Sequence, residues 1–362
     1  MTDFMTKNKE KLEQFAAMSQ AAGSRSDYVQ GGGGNTSVKL ADGLMAIKAS
    51  GYCLSDIRPD KAYAVLDYEA LRRFYYGNEP AQLADVEKLG SACAKENTKL
   101  IEGMDALRPS VEAGFHSILK TFVCHTHSVY ANLAACSTAC CEIAEKAFNG
   151  ADYTWGWVPY TDPGANLTFA IRDELRRVAE KTGKVPSVIL MQNHGIIVHD
   201  DDAERCLAIH ADANERLAQQ FGIHGDSFPA ISVRQTGGEL YEADTPYLRE
   251  ALKNCRYDYK TFIETPLYPD QMVFLIGTFF MDKEGTPAEG ECYADTKTGA
   301  LVLHMGEKKA KTITETLTAV IFIMDTVTKM GYTVSTMGEA AKSFIANWES
   351  EKYRKSLAGK KG

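Results

Sequence analysis

Several things are missing from this sequence, and each absence removes a class of function. There is no long apolar run. The most hydrophobic windows, such as Leu317 to Met324, fall far short of the ~20 residues a bilayer requires, so no membrane association is expected. There is no basic excess: 40 lysines and arginines stand against 48 aspartates and glutamates, a formal net charge of −8. That balance argues against nucleic acid as the main partner, while leaving room for a local anion pocket. The nine cysteines contain no CxxC pair and read as free thiols in a reducing cytoplasm. The N-terminal stretch MTDFMTKNKEKLEQF lacks the apolar core of a signal peptide, which also points to the cytoplasm. No GxGxxG fingerprint and no GK[ST] loop end occurs, so neither a dinucleotide fold nor a P-loop is indicated. Internal repeats and low-complexity segments are absent too.

What is present is a chain of 362 residues, 44% hydrophobic and 24% charged, enough apolar material for a large core and for about two domains. Residues 4–22 have helical apolar spacing. Strands are expected at Thr36–Leu40 and Leu44–Lys48 around Asp42-Gly43, with a short one at Val65–Leu66. A helical turn is expected at Tyr68–Phe74 and a helix over 84–106. Ser110 is a plausible N-cap for a helix running through Leu119. Phe122–His127 reads as a strand, followed by a helix at Val129–Cys136. Cys136, Cys140 and Cys141 are spaced as helix core fillers. A long helix over Asn166–Lys181 precedes strands at Val188–Gln192 and Ile196–His199, and Asp202–Gln220 is helical again. The mixture predicts an α/β domain over residues 1–222.

Phe221 to Gly238 lacks periodicity and marks a domain boundary. Beyond it, residues 239–362 suggest a smaller α+β region. It has strands at Met272–Ile276 and Leu301–His304, a hairpin turn at Asp295–Gly299, and helices over Thr312–Lys329 and Met337–Lys355. The two helices look amphipathic, suited to covering the first domain or a partner subunit. No His, Cys or paired-carboxylate cluster with ligand spacing occurs there, so this region is not expected to be the chemical centre. The lysine-rich tail, Gly359–Gly362, should fray.

Three features carry chemistry. The first is His125-Thr126-His127: residues i and i+2 of a strand share a face, so both imidazoles can reach one ion. His194, between two strand segments in Gln192-Asn193-His194-Gly195, offers a third. Three imidazoles with an open position make a catalytic zinc site. His116, His199, His210, His224 and His304 have no such company and read as core or surface residues. The second feature is Glu112, in the first turn of the helix leading to the histidine strand. It is either a helix-dipole carboxylate or an acid/base group beside the metal. The third is a set of small-residue loops, Gly33-Gly34-Asn35-Thr36-Ser37, Ala49-Ser50-Gly51 and Pro109-Ser110. They are ordinary turns or, together, a phosphate cradle made of amides and hydroxyls, to which Lys48, one residue before Ala49, could add charge if its side of the strand allows.

The ordered set GGNTS, ASG, PSxE, HTH and QNHG resembles the class II, zinc-dependent sugar-phosphate aldolases of the aldolase/adducin superfamily. Arg108-Pro109-Ser110-Val111-Glu112 and the ending FIANWESEKYRKSL are similar to a longer, rhamnulose-1-phosphate aldolase-like branch. The resemblance implies a three-layer α/β/α domain with a mostly antiparallel sheet, the small C-terminal α+β region, and a homo-oligomer, favoured as a tetramer, with sites between subunits. It implies one Zn2+ or another divalent ion per chain on His125, His127 and His194, with Glu112 as acid/base. It implies phosphate contacts from Asn35, Ser50, Gly51 and Ser110. Val111 stands where family members often carry a second serine. Tyr160, before Asp162-Pro163-Gly164, matches a tyrosine that some aldolases lend to a neighbouring subunit; its plainer reading is a packed surface loop. The implied activity is a lyase that cleaves a ketose 1-phosphate, of rhamnulose or fuculose type, to dihydroxyacetone phosphate and an aldehyde such as lactaldehyde. The alternatives are an epimerase or decarboxylase of a phosphorylated sugar or sugar acid, or a non-catalytic adducin-like module.

Overall fold

The computed structural model of this chain describes residues 3–347. Its first 220 residues build a sheet of eight strands: β1 Asn35–Lys39, β2 Leu44–Lys48, β3 Tyr63–Asp67, β4 Thr98–Lys99, β5 Phe122–Thr126, β6 Trp155–Val158, β7 Val188–Met191 and β8 Gly195–Asp200. Their order is β4-β3-β2-β1-β5-β8-β7-β6. Every pairing is antiparallel except the parallel β6–β7 edge.

Both faces of this sheet are covered. Along β7, Val188 and Leu190 enter one apolar cluster while Ile189 and Met191 enter another. Along β8, Ile196 and Val198 alternate in the same way with Ile197. Strand side chains alternate sides, so a strand buried on both faces reads as a continuous apolar run. Helices Lys9–Gly23, Val129–Ala135, Cys140–Ala147 and Ala203–Gln220 cover the first face. Helices Tyr68–Gly77, Val86–Glu96, Ala113–Ile118 and Ala165–Thr182 cover the other. This is the expected three-layer α/β/α arrangement.

A second sheet follows, with β9 Val233–Gly237, β10 Leu240–Ala243, β11 Phe279–Met281, β12 Cys292–Asp295 and β13 Ala300–His304 in the order β11-β12-β13-β10-β9. The expected turn at Asp295–Gly299 joins the antiparallel pair β12–β13. Helix Glu307–Lys329 does not merely present one apolar stripe: Leu317, Ala319, Val320, Ile321, Phe322, Ile323 and Met324 are all buried. A helix apolar all round must be central. It joins Leu301 and Leu303 of β13 to Leu190 and Val198 of the first sheet in one cluster. Its threonines are accommodated by back-bonding, as Thr314, Thr316 and Thr318 each donate to the carbonyl four residues earlier.

Several expectations need correction. The helix expected over 84–106 stops at Glu96, and Thr98–Lys99 instead pair with Leu66 and Val65. Met272–Ile276 is not a strand. Pro269 at the first helical position and Asp270 in the first turn open the helix Pro269–Leu275, and a short apolar run cannot by itself distinguish strand from buried helix. β6 and β9 to β12 were not expected, and β9 lies inside the assumed boundary segment. Cys140 is buried, but Cys141 is exposed rather than a core filler. The closing helix is described as Glu339–Asn347. Its expected continuation to Lys355 and the lysine-rich tail lie outside the described residues.

Candidate metal centre

β5 lies between β1 and β8, and register decides what meets there. Asn35 stands opposite His125 on one side, and Ile197 on the other. His125 shares the face of Val123. His127 follows one residue past the strand end. Met191 pairs with Gly195, so Gln192-Asn193-His194 is a tight reversal between β7 and β8. Asn193 takes a left-handed conformation (φ 51°), which asparagine tolerates better than most residues. At Gly195 (φ +152°) a Cβ would collide with the Thr126 carbonyl, so only glycine lets the two histidine-bearing segments approach.

The three imidazoles form a near-equilateral triangle, with ring centroids 5.0, 5.0 and 5.1 Å apart. One ligand atom from each lies within 4.8 Å of the others, and all three residues are buried. His125 Nδ1 is 2.9 Å from the Ile196 carbonyl, which can only accept, so Nδ1 carries the hydrogen. His127 Nδ1 is 2.6 Å from the Asp270 carboxylate and donates in the same way. The lone pairs of the two imidazoles are therefore on Nε2, and these nitrogens face each other at 3.2 Å. His194 Nδ1, also buried, has no hydrogen-bond partner among the described residues. Burial holds His125 down to about 3, so it is a neutral donor at physiological pH. Lone pairs converging in a buried space suit a cation, and three imidazoles with an open side suit a catalytic divalent ion.

Glu112 sits at this triangle. It is the residue just before the helix Ala113–Ile118 rather than within its first turn, and Ser110 is not the side-chain cap that was expected. The Glu112 Oε1 atom is 3.2 Å from His194 Nε2, and Oε2 is 3.6 Å from His125 Nε2. Burial alone would raise this carboxyl. Positive charge on the facing imidazoles of His125, His194 and His127 would outweigh burial and hold it well below the usual carboxylate range. Asn35 Nδ2 donates to Glu112 Oε2 at 2.5 Å and to Ser110 Oγ at 3.1 Å.

The small-residue loops meet through an irregular bridge. Ala49 pairs with Pro109, Ser50 N–H donates to the Arg108 carbonyl at 2.9 Å, and Ser110 N–H donates to that of Lys48 at 3.3 Å. A cavity of about 50 Å³ results, lined by Asn35, Ser50, Gly51, Ser110, Val111, Glu112, His127 and His194, with Lys48, Pro163 and Pro269 at its wall. The Lys48 ammonium donates to the carbonyls of Gly32 and Tyr52. A larger cavity of about 590 Å³ shares Ser110 and Val111 but touches none of the three histidines, whereas the smaller one lies against His127 and His194.

The sequence profile of the Class II Aldolase and Adducin N-terminal domain matches residues 13–221. The chain belongs to the class II aldolase and adducin family. No curated protein matches it. Among solved structures it is similar to the N-terminal class II aldolase domain of a conserved protein from Thermoplasma acidophilum, with 20% identity over 57% of this chain and 92% of that one, TM-score 0.47. It is also similar to YgbL from Klebsiella pneumoniae, with 18% identity over 60% and 91%, TM-score 0.40. A third likeness is to the L-fuculose 1-phosphate aldolase of Glaciozyma antarctica PI12, with 13% identity over 61% and 76%, TM-score 0.39.

Of the residues expected from sequence, this aldolase/adducin-family fold brings His125, His127, His194, Glu112, Asn35, Ser50, Gly51 and Ser110 together. It does not bring Tyr160 into the cavity of its own chain. That phenol faces Asp162 Oδ1 at 3.3 Å, and its ring packs beside Met272, Val273 and Met337. Burial and Asp162 push its ionisation upward.

Two neighbours of the site escaped the sequence reading. His116 is fully buried and bonds Ser37 Oγ at 2.7 Å and the Asn35 side-chain oxygen. Because the Asn35 amide nitrogen faces the Glu112 carboxylate, its oxygen must face His116. His116 Nε2 is then the donor and Nδ1 the acceptor, a neutral imidazole that burial also favours. The second is Asp270, from the region expected to lie apart from the chemistry. Spacing along the chain gives no cue to either, since each contact depends on tertiary packing.

Proposed function

We propose that this protein is a cytoplasmic, zinc-dependent aldolase that cleaves a ketose 1-phosphate to dihydroxyacetone phosphate and an aldehyde such as lactaldehyde, in the manner of a rhamnulose- or fuculose-1-phosphate aldolase. The observation that carries this reading is the convergence of three buried imidazoles beside the buried Glu112 carboxyl group. A divalent ion held by His125, His127 and His194 would supply Lewis-acid polarisation of a ketose carbonyl and its neighbouring hydroxyl. The chain's own groups do the rest. Ser50, Gly51 and Ser110 present hydroxyl and backbone donors for the phosphate, with Lys48 lending positive charge at the cavity wall. Asn35 holds the Glu112 carboxylate toward the reacting carbon. In the condensation direction Glu112 takes a proton from the carbon beside the carbonyl; in cleavage it returns a proton to the carbon that loses the aldehyde.

Residues 1–222 are then the catalytic unit, with residues 239–362 as its extension. The site is shared in a homo-oligomer, favoured as a tetramer, in which Tyr160 of a neighbouring subunit gives its phenol proton to the aldehyde oxygen in condensation and, as the phenolate, accepts the hydroxyl proton on the aldehyde side in cleavage. Recovery of activity on reassembling Tyr160→Phe with Glu112→Gln chains tests that role. Confirmed mixed oligomers without recovery would remove Tyr160 from trans catalysis.

The test of the activity is a screen of dihydroxyacetone phosphate with several aldehydes, read as product formation, alongside elemental analysis of wild type and His194→Ala. The expected result is product with at least one aldehyde and roughly one divalent ion per wild-type chain, with metal lost from the variant. Absence of metal from wild type, or equal metal in both proteins, would contradict the assignment.

A further inference from the structure

The C-terminal region reaches into the metal centre. Asp270 lies in the first turn of the helix Pro269–Leu275 and is 0% exposed. Its Oδ2 accepts from His127 Nδ1 at 2.6 Å. Pro269, its neighbour, lines the site cavity. Room for the carboxylate is made from the other side of the chain: a Cβ at Gly33 would run into Asp270 Oδ2. The same region also grips the reversal that carries His194. Asn193 Nδ2 donates to the Leu267 and Ser335 carbonyls, each at 2.8 Å, and Ser335 Oγ donates back to Asn193 Oδ1 at 3.1 Å.

We propose that Asp270 is a positioning residue for the metal centre, and that residues 266–337 thereby form a working part of the site rather than a cover for it. The proposal rests on the reading of His125, His127 and His194 as metal ligands. An imidazole offers a metal only the nitrogen that lacks a hydrogen. A carboxylate on Nδ1–H fixes which nitrogen that is, fixes the ring plane, and makes Nε2 more electron-rich. For His125 a backbone carbonyl does this, and β5–β8 pairing holds that carbonyl whatever the side chains. For His127, beyond the strand end, no ladder is available, and Asp270 supplies the acceptor. An amide at position 270 could instead turn its NH2 toward Nδ1. That would favour the tautomer with hydrogen on Nε2, which cannot bind.

The experiment is Zn2+ affinity by competition with a chromophoric chelator, on full-length wild type, Asp270→Asn, His194→Ala and Tyr268→Phe. The last removes a hydroxyl from the same buried segment, one whose partner is Gln30 rather than His127. The visible spectrum of the Co2+-substituted proteins and the thermal midpoint of the metal-free forms are recorded alongside. Asp270→Asn is expected to weaken Zn2+ binding by roughly 10- to 100-fold and alter the Co2+ spectrum, with the metal-free midpoint close to wild type and Tyr268→Phe unaffected. Unchanged affinity and spectrum in Asp270→Asn, with tight binding lost in His194→Ala, would overturn the role of Asp270 and leave the metal site standing. A wild type that binds no Zn2+, or an unaffected His194→Ala, would overturn the metal site and the proposal with it. If Asp270→Asn does not fold, histidine 15N shifts of Zn2+-loaded wild type decide: hydrogen on Nδ1 and metal on Nε2 of His127 supports the proposal, and the reverse overturns it.

Discussion

Glu112 shows how one residue acquires a chemical role from its surroundings. A buried carboxylate is costly unless partnered; here the Asn35 amide donates to it, and Nε2 of His194 and of His125 lie 3.2 and 3.6 Å away. Glu112→Gln keeps the shape but removes the proposed base. We expect turnover to fall by roughly 10²- to 10⁴-fold with fold and metal content kept; near-normal steady-state rates would reduce Glu112 to a helix-start carboxylate. His116 acts one step further out, since its Nε2–H fixes the Asn35 amide. His116→Phe should therefore lower kcat more than it raises KM, and an effect on KM alone would contradict the Ser37–His116–Asn35–Glu112 chain of bonds. The three histidines were legible in the sequence because their spacing reflects local geometry: His125 and His127 stand two positions apart at the end of β5, and His194 occupies a reversal marked by asparagine and glycine. His116 and Asp270 were not, because each contacts the site through a partner roughly 80 or more positions away, at Asn35 and His127 respectively.

The glycines place the strands and turns around the site. Gly34 (φ +63°) lies against the His125 carbonyl, 2.6 Å from where a Cβ would stand. Gly34→Ala combines a disfavoured conformation with a clash. It should lower stability by more than about 1 kcal/mol and reduce metal occupancy, read by thermal unfolding and elemental analysis; a neutral outcome would mean that β1 and β5 can separate without cost. Elements with strong periodicity, such as Ala165–Thr182 and Ala203–Gln220, were readable from sequence. Short ones were not. The apolar end of Pro269–Leu275, from Met272, reads as a strand by itself, and β9 to β12 are too brief, and too exposed in β9, to show alternation. Helix Glu307–Lys329 was legible as a helix but not as a central one, because back-bonded threonines look polar in sequence while being buried in the fold.

For the whole molecule, one apolar cluster runs from the first sheet through Leu317 to the second. Leu317→Ala should therefore cost about 2–5 kcal/mol and lower a single thermal transition of both sheets; two separate transitions would show that the regions unfold independently. The fold also depends on neutral histidines. Burial holds His199 and His210 down to about 3, from an ordinary value of 6.5. The unfolded chain takes up these protons near 6.5, whereas the folded one does so only near 3. Their contribution is thus complete above about pH 6.5 and lost as pH falls through that window. The metal-free midpoint should drop between pH 6.5 and 4, less steeply in His210→Gln, and a flat profile would contradict this. Among the described residues no helix is long and apolar enough to cross a membrane. Removal and return of a proton on the carbon beside a carbonyl is the step on which the proposed function turns. It is tested most directly by 1H NMR of dihydroxyacetone phosphate in D2O with the metal-loaded protein and no aldehyde, so that the identity of the sugar does not matter. Wild type should exchange one hydrogen at the hydroxymethyl carbon, and Glu112→Gln and His194→Ala none above background. A fully metal-loaded wild type that leaves both hydrogens unexchanged would contradict it.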